Sequence, residues 1–217
     1  MKITRTVTIV ALALAAAACG GSLFESDLPA PTYYVLKTPA AAAQATASPA
    51  SSIDLAIGRP DVGPGLDTDR IAVVRGNQLD FYRGALWGGT VLETVQTFLV
   101  GAFQDQQLFR SVAAEQSRIT ADYLLDIEVR DFQAEYGAGA APAAHVTLVC
   151  RLIRIRDRQL LDTITTTASR PASQESMSAV AAAFEAAMQQ VSLDLASKTA
   201  DRVARSAQQT QTAGADR

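Results

Sequence analysis

"DYLLDIEVRDF", residues 122–132, alternates more strictly than any other stretch of the chain. Tyr123, Leu125, Ile127 and Val129 fall on one side, and Leu124, Asp126, Glu128 and Arg130 on the other. Side chains along a strand point to opposite faces in turn, so the pattern predicts a half-buried strand. One apolar and one solvated face is the mark of an antiparallel sheet.

Downstream, "QAEYGAGAAPAA" (133–144) reads as a mobile loop. "HVTLVCRLIRIRDRQLLDTITTTAS" reads as a hairpin turning near Asp157, with Thr163, Thr165 and Thr167 on one face of its second strand. Residues 173–205 form a long helix with Met177, Val180, Phe184, Met188, Val191 and Leu195 as its apolar stripe. Ser173 is its expected N-cap. From about Ala207 to residue 217 the tail is polar and expected to be disordered.

Upstream, Leu92, Val95, Leu99 and Ala102 recur at steps of three and four, flanked by Phe98 and Phe103. They predict a helix over Thr90–Gln106, after Gly88-Gly89. "RIAVVR" (70–75) and "QLDFYR" (78–83) are strands joined by Gly76-Asn77, a hairpin signal. "IDLAIGRPDV" (53–62) is one further strand and "TYYVL" (32–36) the first. "TPAAAAQATASPASS" (38–52) between them is low-complexity and expected to be a flexible loop. The order of elements predicts an α+β fold: a mostly antiparallel sheet with two helices packed on one face.

The N-terminus is of another kind. Lys2 and Arg5 precede an uncharged run from Val7 to Ala18. That run is shorter than the roughly 20 apolar residues of a spanning helix. A basic start, a short apolar core and a small-residue exit read as a signal peptide over residues 1–18. Ala16-Ala17-Ala18-Cys19 resembles the lipobox of bacterial lipoproteins, with Ala16 where Leu is usual and Leu14 two places earlier. The resemblance implies an acylated Cys19 as the mature N-terminus; ordinary cleavage leaving a free thiol is the alternative. Residues 19–31 then form a lipidated tether. Gly20 after the cysteine implies, by the enterobacterial sorting rule, the periplasmic face of the outer membrane; other bacteria sort differently, which leaves the inner membrane open.

Without the leader the chain carries 17 basic and 22 acidic residues, a net charge of −5. Such a surface is no footprint for nucleic acid. No phosphate-binding G-x-x-x-x-G-K-[ST] loop occurs. No cofactor or metal is expected: the one histidine, His145, lies five residues from Cys150 and so on the opposite face of a strand. With Cys19 acylated, Cys150 has no partner for a disulfide and reads as a small core residue.

Taken in order, these features resemble the ABC-type transport auxiliary lipoproteins, the group that includes the lipoprotein of the paraquat-inducible intermembrane transport system. Tyr33, Tyr34 and Leu36, then Asp69 and Arg70, Tyr82, Trp87, Phe109 and Val112 occupy the places of that family's pattern. "YLLDIEVRDFQAEY" and the Ala-rich last helix also fit. Gly88-Gly89 and Gln107 depart from it, at the two ends of the first helix.

The resemblance implies a non-enzymatic accessory subunit docking at the outer membrane. Its partners would be an MCE-domain periplasmic protein with an ABC permease and ATPase, its cargo phospholipid or another hydrophobic molecule, and a homo-oligomer is plausible by analogy. Trp87, Tyr82 and Arg83 are candidate partner-binding residues, because aromatics and arginine are enriched at interfaces; for Trp87 a place in the core is the favoured alternative. A second reading is another outer-membrane assembly lipoprotein, associated with a β-barrel or with lipopolysaccharide export. A hydrolase using Asp67, Asp69, Asp122 and Asp126 is a third, but a strand entry and a solvated face explain those carboxylates more simply.

Overall fold

Thirteen residues of β7 (Tyr123–Glu135) run through the middle of a nine-stranded sheet. The computed structural model describes residues 30–38, 52–137, 139 and 141–215, with side chains of the last helix described to Gln208. On one edge β7 pairs antiparallel with β8 (Ala143–Arg154), which pairs antiparallel with β9 (Gln159–Pro171). The hairpin turns at Asp157, and Arg158 holds a left-handed φ of 57°.

The other edge of β7 is shared by three short strands. β2 (Asp54–Ile57), β3 (Asp61–Val62) and β4 (Arg70–Arg75) lie along it one after another, all parallel to it. β5 (Gln78–Trp87) pairs antiparallel with β4, β1 (Thr32–Tyr34) parallel with β5, and β6 (Ser111–Ala114) parallel with β2. Five of the eight strand pairings are therefore parallel. The fold is α+β as expected, but the sheet is mixed. Local hairpin signals predict antiparallel neighbours; four of the five parallel pairs join segments on either side of α1, and β1 with β5 joins segments separated by β2, β3 and β4.

Element boundaries also differ. The strand expected over 53–62 is two, because Gly58, Arg59 and Pro60 interrupt it and proline has no N–H to pair. Gly58 lies so close to β7 that a Cβ there would stand 3.1 Å from the Leu125 carbonyl oxygen. β7 keeps its ladder to Glu135, so Gln133, Ala134 and Glu135 belong to the sheet, not to the expected loop. β6 is an element the periodicity does not reveal.

α1 (Val91–Gln106) matches its expected span. Thr90 caps it: the Glu93 N–H donates to Thr90 Oγ1 (3.4 Å), and Glu93 Oε2 accepts the Thr90 N–H (3.0 Å). Gln107 closes it with a left-handed φ of 52°. α2 (Met177–Ala215) starts one turn later than expected. It continues through the segment expected to be a disordered tail, where alanine and glutamine favour helix and no proline intervenes.

Both helices cover the same sheet face. Leu55, Ile57, Leu125, Ile127, Val129, Leu148, Cys150 and Leu152 are fully buried beneath them. At the centre Trp87 of β5, Phe132 of β7 and Phe184 of α2 pack edge-on or tilted, with centroids 5.0–5.7 Å apart. α1 is fastened to the outer strands by amides: Gln96 Nε2 donates to the Ile57 carbonyl (3.1 Å), and Gln104 Nε2 to the Val112 carbonyl (2.8 Å).

Candidate docking surfaces

The three residues singled out on β5 separate into three environments. Trp87 is fully buried, so it offers no surface to a partner; its place in the core follows from the alternation of β5 and the helix that starts above it. Tyr82 is half-buried and its hydroxyl is enclosed, with burial first and the neighbouring Tyr136 second pushing the phenol above its ordinary range. Arg83 is exposed. It sits on a large bulge: Ala72 faces Phe81 while Arg70 faces Leu86, so β5 carries extra residues that swing out of the ladder. Gly84, at φ 69°, allows that swing. Nearby arginines are already engaged with rings, Arg70 over Phe81 (4.0 Å) and Arg75 over Tyr136 (4.4 Å).

Cys19 lies outside the described residues, as do the signal peptide and most of the loop over 38–52.

The solvated face of the sheet is polar and internally paired. Arg151 donates to Asp126 (2.7 Å) and Glu128 (3.1 Å), and Arg130 to Glu128 (3.0 Å). Thr147 and Thr167 meet across β8 and β9 at 3.2 Å. His145 lies 3.7 Å from Asp131 on this face, whereas Cys150 points into the core. Burial pushes the Cys150 thiol up to about 12, so it is no thiolate nucleophile.

The aspartates weighed as paired carboxylates are not paired with one another. Asp126 is bound by Arg151, and an Asp122 carboxylate oxygen accepts the Asp54 N–H (2.9 Å). Asp54 itself is bound by Arg110 and Ser111, whose hydrogen bonds hold its carboxyl at about 2. The Asp54 contacts tie β2 to β6, and the Asp126–Arg151 pair ties β7 to β8.

Sequence reasoning passed over the most exposed apolar side chains. Tyr33 and Val35 are each 63% exposed, while Tyr34 and Leu36 between them pack against the core. Lys37 continues the outward row. The alternation was visible in "TYYVLK", but so short a run does not say which side is buried.

A family model described as the ABC-type transport auxiliary lipoprotein component matches residues 34–196. Among solved structures, XCC0632 of Xanthomonas campestris, a DUF330 protein, is 31% identical, with 82% of this chain and 99% of that chain covered and a TM-score of 0.74. A second, an uncharacterized protein, is 16% identical over 78% of this chain and 99% of its own, with a TM-score of 0.62, and shares the fold. No curated protein matches.

Proposed function

Because the chain belongs to the ABC-type transport auxiliary lipoprotein component family, we propose that it is the lipid-anchored accessory subunit of an intermembrane lipid transport system. In this reading Cys19 is acylated and holds the domain at the periplasmic face of the outer membrane. The domain docks an MCE-domain protein that bridges the periplasm to a permease and an ATPase. The subunit performs no chemistry of its own.

The observation that carries the reading is the extent of the match. Residues 34–196 take in α1, the first half of α2 and the ladders of β2 to β9, and a lipobox-like sequence stands only twelve residues ahead of Pro31. Two or more acyl chains suffice for a stable anchor without a spanning helix. Among the described residues no helix is long and apolar enough to cross a membrane. Arg83, pushed outward on its bulge, is the docking residue this reading favours on β5, since arginine is enriched where partners meet.

Affinity purification from detergent-solubilised membranes tests the reading. Recovery of an MCE-domain protein with its permease and ATPase is the expected result. Recovery of a β-barrel protein in their place selects the assembly-lipoprotein reading. Cys19→Ser is expected to leave the domain folded and abolish its membrane retention; a variant that stays with outer membrane after a high-salt wash has another anchor.

A further inference from the structure

We propose that Tyr33, Val35 and Lys37 form a patch by which the domain rests on the phospholipid surface that its anchor enters. The inference builds on the acylated Cys19 of the proposed function and adds which face of the domain meets the membrane.

The patch follows from a strict alternation along Tyr33–Thr38. Tyr34 and Leu36 turn inward, and Tyr33, Val35 and Lys37 turn outward. Tyr33 and Val35 are the two most exposed large apolar side chains among the described residues. An aromatic with a polar tip, a branched aliphatic and a lysine make up the set that settles at a membrane interface. The ring sits at headgroup depth, the aliphatic below it, and the ammonium reaches back to phosphate.

The segment is fixed in place, unlike a frayed end. A Cβ on Gly88 would stand 2.8 Å from Val35 Cγ1, and one on Gly101 would stand 2.9 Å from Thr38 Cγ2, so two glycines let the chain lie close against α1 and the turn that leads into it. The Gly88 N–H donates to the Tyr34 carbonyl (2.8 Å), and the Lys37 N–H to Glu185 Oε2 of α2 (2.9 Å). Beside the row opens a groove of about 540 Å³, bordered by Val35, Leu36, Thr97, Val100 and Gly101. Its one charged side chain, Glu93, is held by the Thr90 N–H.

Chain length selects lipid as the occupant. Residues 19–30 span at most about 40 Å and end at Pro31, two residues before Tyr33. The tether thus joins the domain at this patch, whereas Leu160 and Leu193, the other apolar side chains more than half exposed, lie far along the chain on β9 and α2.

The test uses the full processed chain, purified from membranes and reconstituted in phosphatidylethanolamine–phosphatidylglycerol vesicles with brominated acyl chains. Trp87 is the sole tryptophan and is buried, so the parent supplies a constant background. Tyr33→Trp is expected to shift its emission to the blue and to be quenched about twofold more than Leu160→Trp. Adding Val35→Glu to Tyr33→Trp should remove that difference. Equal quenching at positions 33 and 160, in a chain that floats with the vesicles, overturns the patch and leaves the anchor reading standing. A parent that fails to float after a high-salt wash overturns both.

Discussion

Along one edge β7 meets β8 through a single hairpin, from Tyr123 opposite Arg154 to Glu135 opposite Ala143. Along the other it meets β2, β3 and β4 in turn, each for two or three residues and each from a different part of the chain. The hairpin edge is held by a long ladder interrupted only by a bulge at Arg130, and its surface ion pairs add little. The assembled edge has short ladders, and it is held by particular side chains: Asp54 with Arg110, the Gln96 and Gln104 amides, the Thr90 cap, and the aromatic cluster that bridges to the other half. The difference teaches that one sheet can contain one edge specified by neighbours in sequence and another specified by contacts between distant residues.

Substitutions can break that contrast. Trp87→Ala is expected to cost about 3–5 kcal/mol in denaturant unfolding, because it empties the junction where β5, β7 and α2 meet. Trp87→Phe should recover most of this, since the indole N–H is buried and makes no hydrogen bond. Thr90→Ala removes one half of the capping box and should cost about 1 kcal/mol by the same measurement.

Asp54→Asn is expected to cost up to about 1 kcal/mol at neutral pH. The folded carboxyl titrates near 2, below its ordinary 3.8. Its stabilisation is therefore present above about pH 4 and is lost as the pH falls through 2. Parent and variant should draw together in thermal melts as the pH falls from 4 through 2; a gap that does not narrow over that range means the pair is not the cause. Arg151→Gln, on the solvated face of the hairpin edge, should cost less than Asp54→Asn, its effect shrinking further in salt. A cost equal to that of Asp54→Asn would erase the contrast between the two edges. The smallest signal expected is at Cys150, where a thiol reagent should find no reactive group until the domain unfolds.

The same division governs what could be read in advance. β7, the β8–β9 hairpin, the β4–β5 hairpin and α1 each carry a local pattern: alternation, Gly76-Asn77, or an apolar stripe ahead of a cap. β6 has none, for Ser-Val-Ala-Ala becomes a strand only by lying beside β2. The parallel pairing of β2, β3 and β4 with β7 was equally hidden, because no dipeptide marks a partner that lies beyond a helix. Among the candidate site residues, the bulge that exposes Arg83 and encloses the Tyr82 hydroxyl depends on a register shift invisible in "LDFYRGALW". The outward row at Tyr33 and Val35 was present as alternation, yet its direction is set by the glycines and by α1, far along the chain.

The central place of β7 also sets an order of events. A chain is made from its N-terminus, so β2, β3 and β4 exist well before residues 123–135 are available to pair with them. Loop closure over such separations is slow, and unpaired strands are prone to associate with other chains meanwhile. Until β7 has emerged, β2 and β3 lack the central strand they pair with and β4 has only its hairpin partner, so the two halves of the sheet are joined only when the strand between them is made.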